Sequence, residues 1–357
     1  MRIVSVGQAL PEYYYDQNAL LAALKLAWGH RFHNPARLDQ IHRNVQVKGR
    51  YLAQPIERYH TSSSFTESNN TFIRVAVDLG ARAIQDALAP TGLSVTDIDQ
   101  LIFVSSTGIA TPSIDARLIN AMGLRSDIRR TPLFGLGCMA GAGGLARLSE
   151  LLRANPRQVG VLLSVELCSL TLQREDLSIA NIVSSGLFGD GAAAALMVGS
   201  EHALAQQDAL GPTIVASRSI FYPNTEAVMG WDIGSDGFGV VLSADVPEIV
   251  EQHAPQDVGR LLADHHLTRE DIASYVLHPG GPKVLRAFEK ALGLSPKVLA
   301  LSYKTLAELG NLSSASVLMV LRDVLANRDA SRPSRGAHGL LGAMGPGFCS
   351  EWVILSW

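Results

Sequence analysis

The chain is poor in cysteine, carries no marked excess of charge of either sign, and lacks long uncharged runs. Only three cysteines, Cys138, Cys168 and Cys349, occur in 357 residues, and they form no CxxC or Cys/His ligand spacing. That argues against a disulfide framework or a structural zinc site and fits a reducing compartment. A net charge of −3 gives no global pointer to nucleic acid or an anionic membrane. No uncharged stretch is long enough to cross a bilayer. The run Met1-Arg2-Ile3-Val4-Ser5-Val6-Gly7 is too short for a signal-peptide core, and Gln8, Glu12 and Asp16 follow it. The expectation is a soluble, cytoplasmic protein.

What is present is a large apolar fraction, 47%, against 18% charged residues, enough for two compact halves with a sizeable core. Strand-like runs at Leu101–Val104, Gly160–Ser164, Ala192–Val198, Tyr275–Leu277 and Val353–Leu355 alternate with helical runs at Phe72–Ala89, Arg147–Ala154, Pro282–Leu292 and Ala315–Leu325. The pattern is that of an α/β protein. Pro156, Gly211-Pro212, Pro223 and Pro333 mark turns.

The chain repeats itself once, in order. Leu93–Leu101 matches Leu267–Tyr275, and Gly137-Cys138 before a small-residue helix matches Gly310-Asn311 before Ser313, Ser314, Ala315 and Ser316, at nearly the same offset. Two matches at one offset point to a duplicated α/β unit, with halves 1–210 and 211–357. Equivalent helix starts then meet near the pseudo-twofold axis, which would bring Cys138 and Asn311 together.

Cys138 lies in Gly135-Leu136-Gly137-Cys138-Met139-Ala140-Gly141-Ala142-Gly143-Gly144, at the start of a helical run. A helix N-terminus favours thiolate over thiol, and the small neighbours give a substrate room to approach. A lone cysteine is more often a small buried hydrophobe. His278 ends a buried-type strand before Pro279-Gly280-Gly281-Pro282, a corner from which a side chain can project into a cavity; by itself it reads as a satisfied core histidine. Asn311 in Gly310-Asn311-Leu312-Ser313-Ser314 by itself reads as an N-cap. Together a thiol, an imidazole and a carboxamide suit acyl transfer, with N–H groups stabilising an enolate or oxyanion. Thiol proteases use the same set, but their local signature around the cysteine is absent.

These motifs, with Leu187-Phe188-Gly189-Asp190-Gly191-Ala192 and Gly345-Pro346-Gly347, span almost the whole chain, which resembles a type III polyketide synthase, the chalcone-synthase-like branch of the thiolase superfamily. The resemblance implies a homodimer of duplicated, five-layered αβαβα subunits with a Cys138/His278/Asn311 triad. It implies acyl-CoA starters and malonyl-CoA extenders, and no carrier protein, cofactor or metal. Phe188 matches the family's gate between the CoA tunnel and the cavity; a second gate aligns with Val240, with Phe238 two residues away. The substrate wall implied is Thr107, Cys168, Thr171 and Leu172, with Gly280, Gly281 and Ser313. Arg37, Arg43 and Lys48, in a basic stretch that also holds Arg31 and Arg50, fall where members bind the CoA phosphates.

Cys168-Ser169-Leu170-Thr171 is similar to bacterial members that take long fatty acyl starters and release alkylpyrones or alkylresorcinols. A side tunnel would run between Cys168 and Thr107, with Leu172 as a potential plug, and Thr171 disfavours tetrahydroxynaphthalene as product. The alternatives are a single-condensation β-ketoacyl carrier-protein synthase III, an acyl-CoA hydrolase, and a non-catalytic acyl-CoA-binding scaffold.

Overall fold

The computed structural model describes every residue except 29–30, 32–34, 61–63, 208–210 and 327–332. Nine strands build one sheet: β1 (Arg2–Ala9), β2 (Gln100–Val104), β3 (Arg129–Leu133), β4 (Val159–Leu167), β5 (Asp190–Val198), β6 (Thr213–Phe221), β7 (Ile272–Leu277), β8 (His338–Gly345) and β9 (Cys349–Ser356). Their order across the sheet is β7-β8-β9-β6-β1-β5-β4-β2-β3.

The duplication expected from the sequence is visible in this order. Outward from the centre, β1-β5-β4-β2 pairs antiparallel, antiparallel, parallel. Outward on the other side, β6-β9-β8-β7 pairs in the same sequence of directions. The two halves join where β1 meets β6, with Arg2 opposite Thr213. The boundary expected between residues 210 and 211 adjoins residues 208–210, which lie outside the described residues.

Alternate residues of each strand face opposite layers, as the two-residue period of a strand requires. In the N-terminal half Ile102, Leu162, Ala193 and Ala195 face inward to a core shared with the helices Ala140–Ala154 and Ser314–Ala326. Leu101, Val161, Ala194 and Leu196 face outward against the helix Phe65–Leu88. In the C-terminal half Leu341, Ala343 and Val353 face the shared core. Leu340, Trp352 and Ile354 face the helices Val246–Ala263 and Pro282–Leu292. Helix, sheet, paired helices, sheet, helix: these are the five layers, though the two sheet layers are hydrogen-bonded into one at β1 and β6.

The two central helices approach closely because they start on small residues. A Cβ on Gly141 would stand 2.2 Å from the Ser314 carbonyl oxygen. Glycine there is therefore a packing requirement of the middle layer. The strand β8 escapes a sequence reading because Gly339, Gly342 and Gly345 depress its strand signal. Gly342 is needed nonetheless, since a Cβ would sit 2.3 Å from the ring of Trp352 on the neighbouring strand.

Candidate active site

The first of the paired central helices begins with a tight turn, Gly137–Met139, that carries Cys138. Gly137 holds φ at +50°, and a Cβ there would meet the Pro346 ring at 2.5 Å. A Cβ on Gly345 would meet the Met139 nitrogen at 2.7 Å. The Gly345-Pro346-Gly347 segment is thus seated directly on the turn that presents the thiol.

Cys138 is buried, and its Sγ lies 3.5 Å from the Ser313 hydroxyl. The expectation of a thiolate meets a stronger opposing effect. Burial pushes the Cys138 thiol up to about 12, with the Ser313 hydroxyl pulling the other way and the nearby Glu166 carboxyl adding to the rise.

His278 follows β7. Its backbone N–H donates to Gly342 and its carbonyl accepts from Gly280, both at 2.9 Å. The ring is buried, and neither Nδ1 nor Nε2 has a hydrogen-bond partner among the described residues. Burial drives its pKa down to about 3, so the ring is neutral at physiological pH. Gly280 keeps space beside it: a Cβ there would lie 3.5 Å from Nε2.

Asn311 is the junction. Its backbone N–H donates to Leu187 at 2.9 Å and its carbonyl accepts from Gly189 at 3.0 Å, a short bridge that sets Phe188 alongside it. Its Oδ1 accepts from the Ser313 N–H at 2.8 Å, and its Nδ2 donates to the Gly280 carbonyl at 3.3 Å. The N-cap reading therefore fails: the helix starts at Ser314, and the carboxamide closes a turn onto Ser313 instead. With one Nδ2 hydrogen spent on Gly280, the other remains to donate. Cys138, Ser313, Asn311, Gly280 and His278 form one connected set drawn from both halves of the chain.

Beneath this set lies a buried carboxyl whose role the sequence did not announce. Glu166, at the end of β4, accepts from the hydroxyls of Ser106, Thr107 and Ser314 and from the Ser106 N–H at 3.0 Å. Burial raises its pKa, and the hydroxyls oppose the rise. A charged residue closing the apolar run Val159–Leu167 was the signal available in the sequence.

A cavity with a mainly apolar wall, part of it open to solvent, has about 850 Å³ of empty space. Phe188, Cys168, Thr171 and Leu172 are on its wall as expected, together with Leu20, Leu24 and Trp28. Val240 is on the wall too, while Phe238 is packed behind it against Phe65 and Trp231. Trp231 supplies a wall aromatic that the sequence reading missed; its Nε1 donates to the Ser106 carbonyl at 2.7 Å. Cys138, His278 and Asn311 are not on this wall; Phe188 is on it and is joined to Asn311 by the backbone bridge.

Thr107 is placed elsewhere. Its hydroxyl donates to Glu166 at 2.9 Å and accepts from the Leu167 N–H at 2.8 Å, and it borders a separate small hollow beside Phe238. A path between Thr107 and Cys168 is thus not part of the main cavity wall. Gly281, at φ +150°, starts the helix Pro282–Leu292 next to Leu187. Arg37, Arg43 and Lys48 are exposed. Arg31 is held by Glu175 at 2.8 Å, and Arg50 turns inward, buried. No group of His, Cys, Asp and Glu suited to a metal occurs among the described residues.

Comparison with known proteins gives a consistent pattern. Residues 2–202 match the model described as chalcone and stilbene synthases, N-terminal domain, and residues 213–356 match the corresponding C-terminal domain. The chain is 46% identical to a protein of Streptomyces peucetius subsp. caesius named 1,3,6,8-tetrahydroxynaphthalene synthase, over 99% of this chain and 93% of that one. It is 38% identical to a putative chalcone synthase of Bacillus subtilis (strain 168), over 99% and 98%. In three dimensions it superposes on the tetrahydroxynaphthalene synthase of Streptomyces coelicolor A3(2), a bacterial type III polyketide synthase, with a TM-score of 0.92 and 31% identity, over 100% and 99% of the two chains.

Proposed function

Because the chain belongs to the chalcone and stilbene synthase family, and is a type III polyketide synthase and hence an acyltransferase, we propose that it extends a medium- or long-chain fatty acyl-CoA with malonyl-CoA and releases an alkylpyrone or alkylresorcinol. One observation carries this reading: the apolar wall that Leu20, Leu24, Trp28 and Leu172 share with Phe188. Each buried methylene of a starter adds about 0.8 kcal/mol of transfer free energy there, which rewards length.

In this reading Cys138 is the nucleophile. Its sulfur bonds to the starter carbonyl as the carbon–sulfur bond to CoA breaks. The thiol proton passes through His278 to the departing CoA sulfur. Because the resting thiol is high and the imidazole low, proton removal accompanies attack instead of preceding it. Malonyl-CoA then loses CO₂, and the electron pair left on carbon is shared with the thioester oxygen. His278 and the free Nδ2 hydrogen of Asn311 donate to that oxygen. The carbanion attacks the Cys138 thioester, the sulfur leaves, and the chain returns to CoA for the next round. Confinement of both partners supplies much of the rate gain.

The N-terminal half, 1–210, carries the nucleophile and the C-terminal half, 211–357, the imidazole and carboxamide. Arg37, Arg43 and Lys48 meet the CoA phosphates, and Gly280, Gly281 and Ser313 border the reacting thioester. The protein acts as a homodimer in the cytoplasm; exposed Ile109 and Phe134, which border an open groove, support a covering second copy. No described helix is long and apolar enough to cross a membrane.

A second reading, release of tetrahydroxynaphthalene, is favoured by the name of the 46%-identical relative. That skeleton can be assembled from malonyl units alone, so one comparison separates the two. Malonyl-CoA is supplied with and without lauroyl-CoA, and products are resolved by mass spectrometry. Alkylpyrones that require lauroyl-CoA support the fatty acyl reading. A naphthalene product from malonyl-CoA alone, undiminished by lauroyl-CoA, overturns it.

A further inference from the structure

Two side chains on the cavity wall carry buried donors without partners among the described residues. Arg50 lies on that wall, buried, with its Nη2 donating to the Ser185 carbonyl. Among the described residues its Nε and Nη1 have no partner. Ser184 is on the same wall, and its buried hydroxyl is likewise without a partner among the described residues. Leaving charged donors unpaired in an apolar cavity is costly, so their retention calls for an occupant.

The neighbouring groups do not fill that need. Asp190 is near, but its carboxylate is taken by the Ala53 N–H at 2.6 Å, the Ser169 N–H at 2.8 Å and the Ser169 hydroxyl. Among the described residues it makes no ion pair with Arg50. Tyr59 is bonded to Ser169 at 2.5 Å. His42 sits on the other side, against Gly186, and burial together with the Arg50 charge lowers its pKa to about 4, so it is neutral. Arg50 itself is lowered by burial only to about 10 and stays a cation at neutral pH.

A guanidinium with two unpartnered nitrogens fits two oxygens of one planar, anionic ligand. Resting on the polyketide-synthase reading above, we propose that Arg50, assisted by Ser184, binds the 1,3-dioxygenated portion of the growing chain as its enolate, while the hydrocarbon tail occupies the Leu20, Leu24 and Trp28 wall. A β-dicarbonyl unit gives up its acidic C–H proton to solvent, and the electron pair spreads over two oxygens set in one plane. A chain held this way is kept from early lactonisation and returned for further extension. Arg50 is thus a positioning residue for the oxygenated end, distinct from the groups that form the bond.

Acetylacetone is the probe, because it carries the 1,3-dioxygen unit without a thioester and its enolate absorbs in the ultraviolet. Titration with wild-type protein at neutral pH is expected to raise the enolate absorbance. Loss of a charge-assisted pair corresponds to about tenfold weaker binding or more, which is the expectation for Arg50→Met. Arg50→Lys should recover part of the signal, and Ser184→Ala should weaken binding less, both read at unchanged circular dichroism. With lauroyl-CoA and malonyl-CoA, Arg50→Lys should release a larger share of short, early-cyclised chains. Equal enolate binding by folded Arg50→Lys, Ser184→Ala and wild type would mean that water satisfies the guanidinium, and the proposal falls. Should Arg50→Met not fold, the lysine and serine variants still decide. Failure of the synthase reading itself would show separately, as wild-type protein that forms no malonyl-derived product whether or not it binds acetylacetone.

Discussion

Cys138 and Ser313 place sulfur and hydroxyl 3.5 Å apart across the junction of the two halves. Ser313 holds a positive φ of +46° to do so, and the Asn311 carboxamide fixes it there through its N–H. The hydroxyl is the side chain that lowers the thiol's pKa against burial. Replacing Ser313 by alanine therefore leaves the thiol harder to ionise. One net hydrogen bond is worth about 0.5–1.5 kcal/mol, so acylation of Cys138 by an acyl-CoA should slow by roughly two- to tenfold. Stopped-flow mass analysis of the acyl-enzyme reads this; an unchanged rate would show that the contact carries no catalytic weight.

Alkylation of the free enzyme by iodoacetamide carries a distinct pH signature. With the thiol raised to about 12 and His278 lowered to about 3, the resting pair is neutral across the ordinary range. The reactive thiolate fraction then grows about tenfold per pH unit below the thiol's pKa. Inactivation should rise steadily through neutral and mildly alkaline pH. A plateau beginning near neutrality would instead identify a resting thiolate–imidazolium pair.

Acid stability follows from the same burial. His278 and His42 are held below the ordinary histidine value of 6.5, to about 3 and about 4. Below 6.5 the unfolded chain takes up protons that the folded chain refuses, so their contribution is present above that pH and is lost as pH falls toward the folded values. Asp190, raised to about 6, acts in the opposite sense over part of that window, because the folded chain holds its proton more tightly. His278→Gln should accordingly flatten the fall in melting temperature between about pH 6.5 and pH 4 relative to wild type. A variant curve parallel to that of wild type would remove His278 from the acid transition.

How much of this was legible beforehand depended on whether a local pattern carried the information. The helix at Pro282–Leu292 and the strands around Leu101 and Ala192 announce themselves by apolar runs and their flanking turns. The pairing of Gly137-Cys138 with Gly310-Asn311 gave the central meeting point, because duplicated units place equivalent turns at their axis. The strand β8 did not show, since its glycines answer to Trp352 on another strand. The inward turn of Arg50 was hidden for a similar reason: in a stretch of cations, burial is decided by the helix Ile179–Leu187 packed above it, whose Ser185 carbonyl it meets. The displacement of Thr107 from the cavity to Glu166 likewise depends on a carboxyl on a neighbouring strand. Residues answering to distant partners are the ones that sequence order does not reveal.

The close crossing of the central helices is testable on its own. Gly141→Ala would place a methyl 2.2 Å from the Ser314 carbonyl oxygen and 2.6 Å from a Val317 methyl. Backbone must shift, and overpacking of this kind costs about 1–3 kcal/mol. The variant should melt lower and, because Ser313 precedes the displaced residue, should also load starter more slowly. Gly143→Ala is the contrasting control, since its nearest neighbour, a Met139 methyl, is 3.5 Å away. Equal melting of the two variants would refute tight contact in the middle layer.

The last prediction concerns starter length. Leu172 is on the cavity wall and packs with the Leu24, Trp28 and Leu38 cluster, so its side chain borders the space a hydrocarbon tail would take. Leu172→Ala removes that bulk and should move the optimum toward longer acyl-CoAs. Cys168→Phe adds bulk on the same wall and should move it toward shorter ones. Each methylene gained or lost from the apolar contact is worth about 0.8 kcal/mol, or roughly fourfold in kcat/KM, so the two length profiles should diverge steeply. The alanine change also opens a void, and part of its effect will be a lower melting temperature; the length dependence, being a ratio within one variant, is insulated from that loss. Profiles that fall in parallel at every chain length, with no movement of the optimum, would place the acyl tail somewhere other than the Leu20, Leu24 and Trp28 wall.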